Sequence, residues 1–219
     1  MTETTRPDFI NRLIAGSRIF RTQHYELHPE QFAPLKDGQA PPALIISCSD
    51  SRIDPALVLQ TRPGDLFLVR NVANLVPRYN PANIDSTSAA VEYAVRDLGV
   101  SHIIVLGHAK CGGIKALGLS MQSQPMQRDF IGPWVEIADM ACWHYLKANH
   151  SEDREHIDQT QLEQWSIRNS LDNLRTFPWL AERVAAGNLS LHGWWFDLDH
   201  GQLWGLDSEG KDFVRLAAG

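Results

Sequence analysis

The sequence predicts an α/β fold: a mostly parallel central β-sheet with an antiparallel edge strand, flanked by helices and preceded by an N-terminal helical arm. Three observations carry that expectation. Apolar runs at Ala43–Ile46, Asp65–Val69 and His102–Leu106 read as strands, the first and third as fully buried ones. Helix-spaced stretches separate them, which is the order of a parallel sheet. Near the end, Leu189–Leu198 and Gln202–Leu206 flank an Asp199-His200-Gly201 turn, the pattern of a hairpin at a sheet edge.

Taken in order, Arg6–Gln23 places Phe9, Ile10, Leu13, Ile14 and Phe20 at helical spacing. Pro29 to about Leu35 is a second helical piece, stopped by Asp37-Gly38. Residues 1–38 are therefore expected to form a helical arm with no core of its own, packed on its own domain or across a second subunit. Residues 39–219 are expected to form a single α/β domain. In it, Ala43–Cys48 is the first strand, and Pro55–Gln60 a short helix closed by Pro63-Gly64. Asp65–Val69 is the second strand, followed by a polar loop, Arg70–Asn74. Ser86–Leu98 is a helix with Ser86 or Asp85 as N-cap, and Gly99 takes the usual C-terminal glycine place. His102–Leu106 is the third strand, with a helix at Gly112–Leu119. Asp129–Trp165 reads as helical with a break around His150–Asp158; Trp165–Leu174 continues as helix, and Pro178–Ala186 is a last short one.

Length and composition narrow the function classes. With 219 residues, 43% hydrophobic and 21% charged, the chain suffices for one sizeable core. A net charge of −6 and a pI near 5.8 argue against nucleic-acid binding, which leaves a basic footprint. No apolar run approaches the ~18 residues of a membrane span, and Met1–Pro7 is too polar for a signal peptide. A cytoplasmic protein is expected. Three cysteines, an odd number, fit no disulfide framework and leave thiols for a metal.

The chemistry concentrates in two loops. Ile45-Ile46-Ser47-Cys48-Ser49-Asp50-Ser51-Arg52 follows the first strand, and Gly107-His108-Ala109-Lys110-Cys111-Gly112-Gly113 the third. In a parallel sheet the loops after the strands' carboxyl ends face one crevice. Cys48, Asp50, His108 and Cys111 can thus meet, and thiolates with an imidazole select Zn²⁺ over magnesium or calcium. The Gly112-Gly113 pair lets backbone approach the site without a Cβ. Cys48 alone reads as a core thiol and His108 alone as a satisfied loop histidine; the combination reads as a metal site. Cys142, in a Trp/Met-rich helix without ligand spacing, reads as core.

Cys48-Ser49-Asp50-Ser51-Arg52 with His108-x-x-Cys111-Gly112 resembles the β-class carbonic anhydrases, in their plant-type branch. The resemblance extends through Arg70–Val76, Ser88–Ala94 and Leu191–Trp194, roughly Gln39 to Phe196. It implies reversible hydration of carbon dioxide to bicarbonate and a proton by zinc-bound hydroxide. Catalysis then needs an open fourth zinc position, so three ligands are expected: Cys48, His108 and Cys111. Asp50 either binds the metal and closes the site, or pairs with Arg52 and accepts a hydrogen bond from the zinc ligand, as an ionised carboxylate only accepts. The family uses this dyad as its switch. The resemblance further implies Gln39 and the Gly112 N–H as donors to bicarbonate, Phe67, Val72 and Tyr93 as the CO₂ pocket, and a homodimer or a dimer-based higher oligomer. Ala109 stands where serine is common, and Pro81–Ile84 replaces a glycine-rich approach to the Ser86 helix. One branch of the family carries an inhibitory bicarbonate site built on tryptophan, arginine and tyrosine. Here Ile45 and Phe196 stand at two of those places and only Arg70 remains, so no such site is expected. Two other readings of the same motifs are a zinc hydrolase of carbonyl sulfide or carbon disulfide, and a zinc or thiol-redox protein without turnover.

Overall fold

A computed structural model of the chain describes residues 6–122, 127–150, 154 and 156–216. The chain divides into two units, Met1–Gln39 and Ala40–Gly219. The first holds helix α1 (Arg6–Phe20), prolonged by a wider turn at Arg21–Tyr25, and the short α2 (Pro29–Phe32). Phe32 is its buried anchor, with the rings of Tyr25 and Phe20 centred 4.9 and 5.8 Å away. Along α1, Phe9, Ile10, Leu13 and Ile14 stay exposed.

The second unit is built on β1 (Ala43–Cys48), α3 (Pro55–Val58), β2 (Leu66–Asn71), α4 (Ser86–Glu92), β3 (His102–His108), α5 (Gly112–Met121), α6 (Ile131–Val135), α7 (Asp139–Ala148), α8 (Gln159–Leu174), α9 (Pro178–Ala185), β4 (Ser190–Asp197), β5 (Gln202–Leu206) and β6 (Phe213–Arg215). The sheet runs β2-β1-β3-β4-β5-β6, with the first four strands parallel and the last two antiparallel. This is the expected α/β class, with one more edge strand than expected. β6 is three residues long and carries no alternation to read. β2 also differs, because parallel pairing with β1 continues to Cys48↔Asn71 and draws Arg70 and Asn71 out of the expected loop into the strand.

The centre of the sheet is dry, as two-sided burial requires. Leu44, Ile46, Ile103 and Val105 face one side, packed with Val91 of α4 and Val95 just beyond it, Ile167, Leu171 and Leu174 of α8, and Leu180 of α9. Ile45, Ile104 and Leu106 face the other, with Ile53, Val58, Trp194 and Phe196. Leu44, Ile45 and Ile46 are wholly inaccessible, and each such side chain contributes about 1.5–3 kcal/mol of burial. The expected Ser86–Leu98 helix is α-helical to Glu92 and then widens, with the Leu98 N–H donating to Tyr93 O five residues back. Asp85 is its cap, its carboxylate accepting from the Ser88 N–H at 2.9 Å. Gly99, at φ +68°, turns the chain out of that helix. The expected break in the middle segment falls between α7 and α8, where Asp158 caps α8; residues 151–153 and 155 within it lie outside the described residues.

Candidate active site

β1 and β3 are neighbours and parallel, so their carboxyl ends release Cys48 and His108 side by side. Cys111 follows as the residue capping α5. The Cys48 and Cys111 sulfurs stand 3.8 Å apart. A tetrahedral ion with metal–sulfur bonds of about 2.3 Å requires an edge of about 3.8 Å, whereas a disulfide would need about 2.05 Å. One donor atom each from Cys48, His108 and Cys111 lies within 4.8 Å of the others, and all three residues are buried.

The histidine is set to be a ligand. Its Nδ1 lies 2.8 Å from the Ala109 carbonyl, which fixes the proton on that nitrogen. Nε2, inaccessible, has no hydrogen-bond partner among the described residues. A buried polar atom without a partner is costly unless something binds it, and a lone pair held by an outer hydrogen bond on the other nitrogen is what metal-ligating imidazoles show. The sulfurs give the same indication. With Cys111 donating to it, Cys48 is pushed down to about 4, while facing Cys48 pushes the Cys111 thiol up. Two buried thiols this close hold one negative charge between them; a dication lets both ionise. The donor set fits Zn²⁺.

Asp50 lies beside this cluster, its Oδ2 3.9 Å from His108 Nε2. Arg52 holds it in fork geometry, Nε to Oδ1 at 2.9 Å and Nη2 to Oδ2 at 2.7 Å, with the Arg52 backbone N–H also on Oδ1 at 2.9 Å. These donations, the Arg52 side chain first, keep the Asp50 carboxyl well below the usual carboxylate range. Arg52 in turn donates to Lys110 O at 3.0 Å, which joins the two loops. Lys110 itself is left-handed, φ +58°, and pairs with Asp199 in the β4–β5 turn.

The third wall is Val72-Ala73-Asn74. Ala73 and Asn74 both have positive φ, and the Ala73 N–H donates to Cys48 Sγ at 3.4 Å. Such backbone is found where surrounding structure over-determines it, and active sites are the usual place. Of the two glycines expected to permit close approach, only Gly113 does so. A Cβ there would stand 2.8 Å from Ala73 Cβ and 2.9 Å from Val72 Cγ1, while one at Gly112 would meet nothing within 4 Å.

The remaining expected residues divide. Phe67 and Tyr93 share a ring contact at 5.8 Å. Val72 and Tyr93 are 39% and 45% exposed, which separates them from core residues. Gln39 is exposed and closes the first unit. Cys142 is buried among the α5–α8 side chains, and burial pushes its thiol up to about 12, as a core cysteine behaves. Arg70 was expected in the polar loop Arg70–Asn74, with no partner assigned. It donates to the carbonyls of Cys48, Asp50 and Ile53 at 2.7–3.0 Å, because its place on β2 aims it across β1. Ala109, where serine was the common residue, is buried in the core.

Sequence reading missed the groups behind Cys111. Glu163 of α8, 1% exposed, accepts from the Cys111 N–H at 2.9 Å, from Gln159 Nε2 at 2.9 Å and from Trp195 Nε1 at 3.0 Å. Burial pushes its carboxyl up against those three donors. The available signal was an acidic residue inside the apolar stripe of a helix, between Leu162 and Ile167.

The sequence profile described as carbonic anhydrase matches residues 43–203. The solved structure of the β-carbonic anhydrase CcaA covers 95% of this chain and 100% of its own, at TM-score 0.85 and 34% identity. The chain belongs to the β-carbonic anhydrase family. A carbonic anhydrase from Synechocystis is 37% identical over 206 residues, 94% of this chain and 74% of that protein. One of two tetrameric β-carbonic anhydrases from Sordaria macrospora matches at TM-score 0.77 and 28% identity, over 95% of this chain and 99% of its own. The Cys48–His108–Cys111 cluster lies at the two motifs by which the sequence resembled β-carbonic anhydrases, and the activity that follows is the reversible hydration of carbon dioxide to bicarbonate.

Proposed function

We propose that Cys48, His108 and Cys111 hold one Zn²⁺ as the resident cofactor of carbon dioxide hydration. The observation carrying this is the pair of sulfurs at tetrahedral spacing beside an orphaned, buried Nε2. When bound, zinc lowers the pKa of a coordinated water and makes hydroxide available near neutrality.

The chain's own groups do the rest. Asp50, ionised and an acceptor only, selects a protonated oxygen beside His108 Nε2 and aims its lone pairs away from the carboxylate. Arg52 grips Asp50 at two points, which would keep the carboxylate off a bound metal and leave the site open, so this dyad would be the gate. The Gly112 N–H, at the amino end of α5, and the Gln39 amide donate to bicarbonate. Phe67, Val72 and Tyr93 offer apolar surface to carbon dioxide. For Gln39 and this apolar set the resemblance is the main support.

A dimer or dimer-based assembly fits the exposed Val72 and Tyr93 and the 94% exposed Ile84, apolar surface of the second unit that a second copy would cover. The Sordaria relative is described as tetrameric. A cytoplasmic setting fits three buried cysteines that remain free thiols; no described helix is long and apolar enough to cross a membrane. X-ray absorption at the zinc edge tests the ligand set: two sulfurs and one imidazole nitrogen are expected. A four-sulfur shell, or Asp50 as a permanent fourth ligand at neutral pH, would overturn it.

A further inference from the structure

Cys111 is held by its own peptide as well as by its place in the loop. Its N–H donates to Glu163 Oε1, and its carbonyl accepts from Gln159 Nε2 at 3.1 Å. The same Gln159 nitrogen donates to Glu163 Oε1, which closes a ring of hydrogen bonds around the backbone of one residue. Glu163 Oε2 is tied separately, to Trp195 Nε1 on β4. Gln159 and Glu163 are one turn apart on α8, so a single rigid helix presents both. The carboxylate is almost wholly buried and faces three N–H donors with two oxygens.

We propose that Glu163, braced by Gln159, is a positioning residue for the Cys111 thiolate: it fixes the peptide from which that sulfur projects, and so sets how firmly the site retains its metal. This rests on the zinc reading above. A thiolate ligand is aimed by its backbone, and the Cys111 backbone begins a helix whose first N–H groups have no partner within that helix. Glu163 binds the Cys111 N–H with a charge-assisted bond, stronger than a neutral one. Groups that orient ligands from behind are a general determinant of metal retention. Glutamine cannot replace glutamate here. Its amide carries one acceptor oxygen and one NH₂, and whichever way it turns, the NH₂ meets an N–H of Cys111, Gln159 or Trp195.

The test compares Glu163→Gln with Trp195→Phe. Trp195→Phe removes only the Trp195 bond, whereas Glu163→Gln also weakens the hold on Cys111, by removing the carboxylate's charge and, in one amide orientation, the hydrogen bond itself. The readouts are the rate of zinc release to a chelator and, in cobalt-substituted protein, the thiolate-to-metal charge-transfer band. Glu163→Gln is expected to release zinc ~10–100-fold faster with an altered band, and Trp195→Phe to stay within about threefold of wild type. Equal effects in the two variants, or an unchanged rate and band in Glu163→Gln, would overturn the proposal. Should Glu163→Gln not fold, Gln159→Ala decides: faster zinc release supports it and an unchanged rate overturns it. Zinc content of the wild-type protein separates the two levels. A wild type without zinc defeats the site itself, whereas normal zinc with unaffected variants defeats only the role of Glu163.

Discussion

Replacing Gly113 by alanine should damage the protein where replacing its neighbour Gly112 does not. At Gly113 the added methyl would lie 2.8 Å from Ala73 Cβ and 2.9 Å from Val72 Cγ1, distances that folded proteins do not tolerate without movement. Neither obstacle is the end of a long side chain, and Ala73 is locked at φ +67°. Overpacking of this kind costs about 1–3 kcal/mol. For a chain of this size each kcal/mol moves the melting temperature by about 2–4 °C, so Gly113→Ala should melt about 2–12 °C lower. At Gly112 the methyl meets open space, and alanine is the better helix former; its melting temperature should stay within about 2 °C of wild type. The displaced segment also carries the Ala73 N–H that donates to Cys48, so Gly113→Ala should hold zinc more loosely. Thermal melts and zinc analysis of both variants decide the matter. Equal melting temperatures would refute the close approach of α5 to the Val72–Asn74 segment, and with it the account of how this wall of the site is built.

The remaining expectations concern the ligands, the dyad and pH. His108→Ala should lose zinc and activity together, since three donors make the site, while Cys142→Ser should keep both; full zinc in His108→Ala by elemental analysis would reject the ligand set. Arg52→Ala should retain zinc yet lose most of its hydration rate in stopped flow, because Asp50 is released toward His108 and the metal; near-normal turnover would remove the dyad from the mechanism. Asp50 has a depressed pKa, so the stability it contributes is present above its unfolded value of about 3.9 and is lost only as pH falls through the lower folded value. Asp50 is therefore ionised throughout the neutral and alkaline range. Hydration should rise from pH 6.5 to 9, and Asp50→Asn should lower the rate without removing that rise. A flat profile in the variant would mean that Asp50 itself titrates there.

Much of this was legible in the sequence because the informative signals were local. β1 was readable to the residue since Ala43–Ile46 is apolar on both faces, as only a central parallel strand is. Cys48, His108 and Cys111 were legible because their chemistry is rare and the loops after parallel strands converge. The partners of Arg70, the carbonyls of Cys48, Asp50 and Ile53, were not legible because they lie across a strand pairing that periodicity does not encode. Glu163 was invisible for a related reason. Its donors come from Cys111, 52 residues earlier, and Trp195, 32 later, and only the folded chain brings them to one carboxylate. The widening of the helix at Tyr93 and the strand β6 left no compositional mark.

The central claim is that this chain hydrates carbon dioxide through one zinc held by Cys48, His108 and Cys111. Stopped-flow hydration by the purified protein, measured as isolated, after chelation and after zinc is returned, tests it most directly. The account predicts about one zinc per chain, a rate far above buffer, its loss with the metal and its return on reconstitution, none of which a Cys48→Ser protein should show. A rate indistinguishable from buffer at full zinc occupancy, or an undiminished rate in the metal-free protein, would contradict it.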